Sequence, residues 1–289
     1  MSKTTGYDTV AKSAGLAEGF IKSHLHPFCY YHPSKALQAL RLPAEEFPRA
    51  LTVVQLPNQE GQEGQMLLGQ TVYVESDFTG QRSTFFTHNY VLNRPDNLAE
   101  AIGPMLYNTV FLTSSEWEEL PELNELPIHE EKEVLKPGQL PFDEDRLWQL
   151  VCAVMEAVAG AKKVYVVLPD SHWVRPMIMW LYNRLPGLAA DNLGFTTYSR
   201  EPENKKFLHL IFMEQTDLDK FEKLERDYVL DFDSGYFSKN LPELTIETLR
   251  QKIESFAIPE PEPPETKSES KQKPPKKGAL EALKRMLKR

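Results

Sequence analysis

The sequence predicts an α+β protein, in which an antiparallel sheet in the N-terminal half precedes a small α/β layer, a disordered linker and a short amphipathic helix. Between residues 51 and 92, apolar runs rich in β-branched and aromatic residues alternate with polar, glycine-containing loops, which is typical of antiparallel strands. From residue 143 onward, helical and strand patterns alternate. After residue 258, proline, glutamate, serine and lysine replace apolar residues, which is typical of disorder.

Length and composition allow a substantial core. The chain has 289 residues, of which 41% are hydrophobic and 10% aromatic, enough for two ordinary domains or one large domain. The formal net charge of -9 argues against general nucleic-acid binding, because phosphate contacts need clustered Lys and Arg, so no nucleic-acid partner is expected. The two cysteines, Cys29 and Cys152, are far apart, which argues against a disulfide framework and fits a reducing compartment.

The sequence shows no targeting signal that would take the protein out of a reducing compartment. The first residues lack the apolar region of a signal peptide. No apolar run approaches the ~18 residues that a membrane-spanning helix needs. We therefore expect a soluble, cytoplasmic protein.

Residues 1–115 are predicted to form a β-rich α+β subdomain with small helices around an antiparallel sheet. Its elements in chain order are a strand over Tyr7–Ala11, helices over Leu16–His24 and Ser34–Leu42, strands over Leu51–Leu56, Met66–Glu75 and Phe85–Leu92, a helix over Leu98–Tyr107 and a short strand over Thr109–Leu112.

An acidic, proline-rich stretch over residues 116–145 is predicted to be a solvated connector. Residues 146–257 follow as a small α/β subdomain, whose one strand–helix–strand crossover should be right-handed if its strands are parallel. Its elements are a helix over Asp143–Ala161, a buried strand over Lys163–Leu168, a helix from Asp170 or Ser171 to about Leu185, strands over Leu193–Tyr198 and Phe207–Met213 joined by a charged turn, a short strand over Tyr228–Phe232 and a helix over Leu244–Phe256.

The C-terminal segment is predicted to be a basic amphipathic helix, residues 278–289, on a disordered tether, residues 258–277. Such an element can dock into a partner groove or onto an acidic or membrane surface. The alternative is a frayed, solubilising tail. The residues that would make the contact are Leu280, Leu283, Lys284, Arg285 and Leu287.

Familiar catalytic and cofactor motifs are missing from the sequence. It has no Gly-x-Ser-x-Gly elbow, no Walker A loop and no Gly-x-Gly-x-x-Gly after a strand. His24, His26 and His32 surround Cys29 but lack the paired spacing of a zinc site. Cys152 lies on the apolar face of a predicted helix. We therefore predict neither a cofactor nor a metal site.

The densest group of polar and aromatic residues lies between Tyr73 and Leu92. It contains Arg82 on a loop and Thr87, His88 and Asn89 on the following strand. Because side chains alternate along a strand, His88 shares a face with Phe86 and Tyr90, whereas Thr87 and Asn89 lie on the other face.

Two interpretations of His88 are open. It is either a recognition point for a partner or an anion, or a buried histidine whose hydrogen bond to the backbone holds the loop. We favour the second, because a lone histidine needs a partner within reach to act as a general base. The rival hypothesis is a hydrolase that uses His88 with Arg82 and an acidic partner, Asp77.

Three segments, in order along the chain, resemble a known family. The first segment is Gly80-Gln-Arg82-Ser-Thr-Phe-Phe-Thr87-His88-Asn-Tyr-Val-Leu92. It combines a glycine and an arginine at its start, an aromatic residue before Thr-His, and a final Val-Leu. Ser13, Gly15 and Leu16 follow a predicted strand, and Leu185-Pro186 precedes Leu193-Gly-Phe-Thr-Thr-Tyr198. Together these segments are similar to the N-terminal domain of bacterial GTPase-associated proteins.

The resemblance implies a cytoplasmic accessory protein that works beside a GTPase, in a bacterial conflict or defence setting. It carries over no catalytic residue. Larger relatives continue into further domains, whereas this chain has the basic tail. We therefore expect an interaction or adaptor protein without catalysis of its own, whose protein partner is a GTPase or GTPase complex. The alternatives are the hydrolase and a membrane-peripheral protein anchored by residues 278–289.

Overall fold

The computed structural model describes residues 9–29, 31, 33, 35–40, 42–57, 64–74, 84–114, 118–129, 140–160, 162–199, 207–214 and 227–242. The predicted α+β class is confirmed, since a seven-stranded mixed sheet and a separate two-stranded sheet are accompanied by several helices. The predicted helix at 244–256, the linker at 258–277 and the basic helix at 278–289 lie outside the described residues. No helix within those ranges combines the length and the apolar character that crossing a membrane requires.

The strands and helices are numbered here in chain order. The strands are β1 (Ala11–Ser13), β2 (Ala50–Gln55), β3 (Gln65–Val74), β4 (Thr84–Asn93), β5 (Glu118–Leu120), β6 (Val164–Val167), β7 (Phe195–Thr196), β8 (Leu210–Met213) and β9 (Tyr228–Asp231). The helices are α1 (Glu18–Phe20), α2 (Lys35–Leu40), α3 (Leu98–Tyr107), α4 (Glu144–Ala159), α5 (Val174–Tyr182) and α6 (Gly187–Asn192).

The large sheet has the order β4-β3-β2-β7-β8-β6-β9. Strands β2, β3 and β4 form the predicted antiparallel meander, in which β3 and β4 pair along ten residues each. Strands β7, β8, β6 and β9 are mutually parallel. The predicted turn between the strands of residues 193–198 and 207–213 is therefore wrong, because parallel strands need a crossover that returns the chain to the starting edge.

One antiparallel pairing joins the two parts of the sheet. Thr52 and Val53 of β2 lie opposite Thr196 and Phe195 of β7. The hydroxyl of Thr52 donates to that of Thr196 at 3.1 Å, and both side chains are buried. The chain halves before and after the acidic stretch thus share one continuous sheet.

Helices cover one face of this sheet, and an N-terminal helical segment packs on the other. Residues of α3, α4, α5 and α6 share one core cluster with Val164 and Val166, while Tyr165 and Val167 belong to the cluster on the opposite face. There they meet the segment in which α1 continues into a π-helical turn and a 3₁₀ turn ending at Phe28. Strand β6 is buried throughout, as its continuous apolar run predicts.

Two smaller features differ from the sequence prediction or refine it. Thr109–Leu112 is not a strand, because this segment makes only an isolated antiparallel bridge between Thr109 and Ile128. Within the acidic stretch, β5 pairs in parallel with β1, and Glu122 accepts a hydrogen bond from the backbone of Gly15 at 2.8 Å. Part of the acidic stretch is therefore structured.

Gly194 occupies a position where only a hydrogen fits. A Cβ atom at this residue would collide with the backbone carbonyl of Phe207 and approach Val54 Cγ1 to 3.1 Å. We predict that Gly194→Ala lowers the free energy of unfolding by about 2 kcal/mol, since backbone cannot move aside as cheaply as a side chain. Urea denaturation measures the change.

Gly187→Ala is the matched control for this prediction. Gly187 begins α6, and a Cβ atom there would meet nothing within 4 Å. Its replacement should shift the free energy of unfolding by less than about 1 kcal/mol, in the stabilising direction. Equal effects of the two substitutions would contradict the steric argument.

His209 makes stability depend on pH. Its Nδ1 accepts a hydrogen bond from the Gly194 N–H at 3.0 Å, and burial, helped by the charge of Lys163, lowers the pKa of His209 to about 4. Unfolded histidine has a pKa of about 6.5. Between these values the unfolded chain binds more protons than the folded chain. Stability should therefore fall as the pH drops from 6.5 towards 4, by up to about 3 kcal/mol.

His209→Asn tests this contribution, because asparagine offers an acceptor at the same position without titrating. We expect the difference in unfolding free energy between pH 7 and pH 5 to shrink in this variant. His129→Asn, which removes an exposed imidazole, should keep the wild-type difference. An unchanged pH dependence in His209→Asn would show that the buried imidazole does not titrate as described.

Candidate functional site

His88 lies near the middle of β4 and is held by neighbouring groups. Its Nδ1 accepts a hydrogen bond from the backbone N–H of Leu112 at 2.9 Å. Its ring stands 4.5 Å from that of Tyr90 and 6.0 Å from that of Phe111, centroid to centroid. Burial lowers the pKa of His88. A neutral imidazole with Nδ1 engaged in this way ties the segment after α3 to the sheet.

Thr87 and Asn89 lie on the opposite face of β4 from His88. The hydroxyls of Thr87 and Thr71 are 2.9 Å apart, across the β3–β4 pair. The side-chain amide of Asn89 donates to the sulfur of Cys29 at 3.3 Å. The structure therefore divides the predicted polar group between two faces.

The other predicted site residues lie outside the described residues. These are Arg82 and Asp77, on the loop before β4, and Leu280, Leu283, Lys284, Arg285 and Leu287, in the C-terminal segment. Their role in binding stays a prediction.

Cys29 and Cys152 are both buried, and neither is part of a disulfide. Cys152 lies in the core face of α4, as predicted, and burial raises the pKa of its thiol to about 11. Within the described ranges, no group of three or more His, Cys, Asp and Glu side chains has the geometry of a metal site. A thiol of raised pKa is a poor nucleophile at neutral pH, so Cys152 serves packing.

A cavity of about 610 Å³ opens at the carboxyl edge of the parallel strands. Its floor is the end of β6 and β8, with Val167 and Met213. Its walls come from the residue before β2, the end of α3, the first turn of α5 and the segments after β7 and β9. The polar and aromatic wall residues include Arg49, Tyr107, Arg175, Tyr198, Glu214 and Asp233.

Two arginines and a phenol meet on one side of this cavity. The guanidinium carbon of Arg175 lies 5.5 Å from the centroid of the Tyr107 ring. Burial lowers the pKa of Arg175, Tyr107 raises it, and the nearby charge of Arg49 lowers it again. The Tyr107 hydroxyl is buried and has no hydrogen-bond partner among the described residues. This side of the cavity therefore carries positive charge and an unused hydrogen-bonding group.

Carboxylates line the remainder of the cavity edge. Asp170, Glu214 and Asp233 follow β6, β8 and β9, respectively. Asp170 accepts hydrogen bonds from the His172 backbone N–H at 2.8 Å and from its ring Nδ1 at 2.7 Å, and these bonds lower the pKa of Asp170. Arg49 stands at the β2 side of the cavity, and Asp233 follows β9 at the other side. Burial and the nearby charge of Glu214, which follows β8, raise the pKa of Tyr31, whose hydroxyl donates to the Pro48 carbonyl beside Arg49.

Sequence analysis did not find this cavity. Its walls come from segments far apart in the chain, from Pro48 to Asp233, and among its charged or titratable lining residues only Asp170, His172 and Arg175 lie near one another in sequence. The available signal was the run Leu168-Pro-Asp170-Ser, because a polar turn between a fully buried strand and a helix marks the edge where α/β sheets bind ligands.

Two family models match the chain. Residues 1–128 match GTPase-associated protein 1, N-terminal domain type 2, and residues 132–234 match GTPase-associated protein 1, middle domain. No curated protein and no solved structure matches. The two matches meet within the acidic stretch, close to His129.

The hydrogen bond at His88 gives a prediction. His88→Ala removes the acceptor of the Leu112 N–H and part of an aromatic contact, and should lower the free energy of unfolding by about 1–2 kcal/mol. His88→Asn keeps an acceptor near the Nδ1 position and should lose less. Urea denaturation compares the two. An equal free energy of unfolding for His88→Ala and the wild type would show that His88 does not stabilise the fold.

Proposed function

The chain belongs to the GTPase-associated protein 1 family, and on this premise we propose that it is a non-catalytic adaptor of a GTPase system. The match of both domain models, together spanning residues 1–234, is the observation that carries the proposal. In this proposal the protein works in the bacterial cytoplasm, in a conflict or defence system, and its partner is the GTPase or a complex that contains it.

The surroundings of His88 support a non-catalytic role. The Nδ1 that a general base would use already accepts a hydrogen bond from Leu112, and the ring packs against Tyr90 and Phe111. A base needs its acceptor nitrogen directed at the proton that it removes. Binding is the function that these contacts favour.

We propose that the partner contacts the outer side of β4 and the segments packed beside it. β4 ends the large sheet, and strands at such edges are common sites of protein association. Leu112 and Ile128 expose 39% and 46% of their surface on these segments. Of the described polar residues we assign His88 to this surface, with Thr87 and Asn89 on the other face of the strand, and we keep Arg82 as a proposed binding residue from the sequence alone.

Affinity capture from the native bacterium tests the proposal. Tagged full-length chain and a chain ending at residue 257 should both recover a GTPase, identified by mass spectrometry. Leu112→Glu combined with Ile128→Glu should reduce that recovery at least tenfold, because each buried apolar side chain at an interface contributes about 1–2 kcal/mol. Leu40→Glu is the matched control, since Leu40 is a 64% exposed leucine on α2.

Each contrary outcome has a distinct meaning. Recovery by the full-length chain alone would move the contact to residues 278–289, and liposome sedimentation would then separate a protein groove from a membrane surface. Equal loss with Leu40→Glu would show a general effect of added charge. Failure of both chains to recover a GTPase would overturn the adaptor proposal.

A further inference from the structure

The cavity lies at the carboxyl ends of the parallel strands, where ligands commonly bind to α/β sheets. The chain leaves β6 toward β7 and leaves β8 toward β9, and these connections run in opposite directions along the sheet. Adjacent parallel strands whose connections leave in opposite directions mark a switch in the topology, and the carboxyl ends at such a switch are the usual binding place in open α/β sheets. β6 and β8 are such a pair, and their last residues, Val167 and Met213, form the cavity floor.

Arg175 gives the cavity its binding chemistry. It stands in the first turn of α5 and is half-buried, and within the described part of the chain no carboxylate lies within 4 Å of its guanidinium. A half-buried cation without a counter-ion loses part of its hydration, which costs free energy that a bound anion would recover. The N-terminus of a nine-residue helix adds a partial positive charge at the same place.

Tyr107 and Arg49 complete an anion pocket around this guanidinium. The Tyr107 hydroxyl is buried and has no hydrogen-bond partner among the described residues, and the Arg175 guanidinium lies over the Tyr107 ring. Arg49 is exposed at the cavity rim and close enough for its charge to act on Arg175. Two guanidinium groups and a hydroxyl donor match the several oxygens of a phosphate better than a single carboxylate.

The remainder of the cavity limits the kind of phosphate compound. A volume of about 610 Å³ is in the range of small-molecule sites and exceeds what an inorganic anion fills. Tyr198 and the strand ends offer aromatic and apolar surface. Asp233, on the β9 side, offers a carboxylate that would accept hydrogen bonds from hydroxyl or amino groups and repel further phosphates.

We propose that this cavity binds a phosphomonoester of nucleotide size, with its phosphate at Arg175, Tyr107 and Arg49 and its hydroxyl or amino groups toward Asp233. The site is separate from the partner surface proposed on β4. It rests on the contacts within the cavity and not on the proposed GTPase, so either proposal can fail without the other.

Isothermal titration calorimetry on the full-length chain tests the ligand class. The probes are GMP, ribose 5-phosphate, inorganic phosphate, guanosine and GTP. We expect GMP or ribose 5-phosphate to bind at least tenfold more tightly than inorganic phosphate, guanosine or GTP. Only these two probes combine a single phosphate group with a sugar whose hydroxyl groups can donate hydrogen bonds. Affinity should fall as salt rises, since the contact is between charges.

Three substitutions locate the site. Arg175→Gln should weaken binding of the preferred probe at least tenfold while leaving thermal stability unchanged or raised, since it removes an uncompensated charge. Tyr107→Phe removes only the hydroxyl and should weaken binding about three- to tenfold. Arg184→Gln is the matched control, because Arg184 stacks on Trp180 at 4.2 Å just after α5 and does not line the cavity.

The proposal is overturned if no probe binds at 5 mM, or if inorganic phosphate binds as tightly as the monoesters. It is equally overturned if binding survives both Arg175→Gln and Tyr107→Phe. If Arg175→Gln is unstable, the binding affinity of Tyr107→Phe decides the test, because phenylalanine keeps the aromatic ring and its packing and lacks only the hydroxyl.

Discussion

The pairing of β2 with β7 is the interaction on which the architecture depends. β2 lies between its own hairpin partner and a strand more than 140 residues later, and the Thr52–Thr196 hydrogen bond lies at this junction. The Thr197 side chain and backbone extend it by bonding to Leu51 and Arg49. Unpaired, β2 and β7 would each expose a sheet edge. Each family model matches one side of this junction, yet the hydrogen-bonded sheet runs through both.

The same pairing creates the cavity. Because β2 runs antiparallel to β7, the residue before β2 lies at the carboxyl end of β7, and Arg49 is brought to the edge where the parallel strands end. Helices α3 and α5, packed on one face of the joined sheet, deliver Tyr107 and Arg175 to the same edge. The positively charged side of the cavity thus arises from residues of both family domains, none of which neighbours another in sequence.

The sequence predicts those parts of the fold that are determined by neighbouring residues, and it does not predict those that depend on contacts between distant segments. The pattern of apolar residues and caps predicts α3 and α4 nearly to the residue, and Asn97 and Asp143 cap them as such side chains do. The β3–β4 hairpin follows from two β-rich runs around one loop. The β2–β7 pairing and the parallel order of β7 and β8 depend on contacts between distant segments, which periodicity cannot reveal. The cavity escapes detection for the same reason.

The end of α3 lies between the cavity and the contacts of His88. Among the described residues, two side-chain polar atoms are buried without a hydrogen-bond partner, the Tyr107 hydroxyl and the Asn108 Oδ1, and these residues are consecutive. Tyr107 lines the cavity, while four residues further along the chain Phe111 packs against His88, and the next N–H binds it. Unsatisfied buried groups cost free energy and are rare in native proteins. Of these two groups, the Tyr107 hydroxyl belongs to a residue that lines the cavity, and a ligand bound there would supply its missing partner.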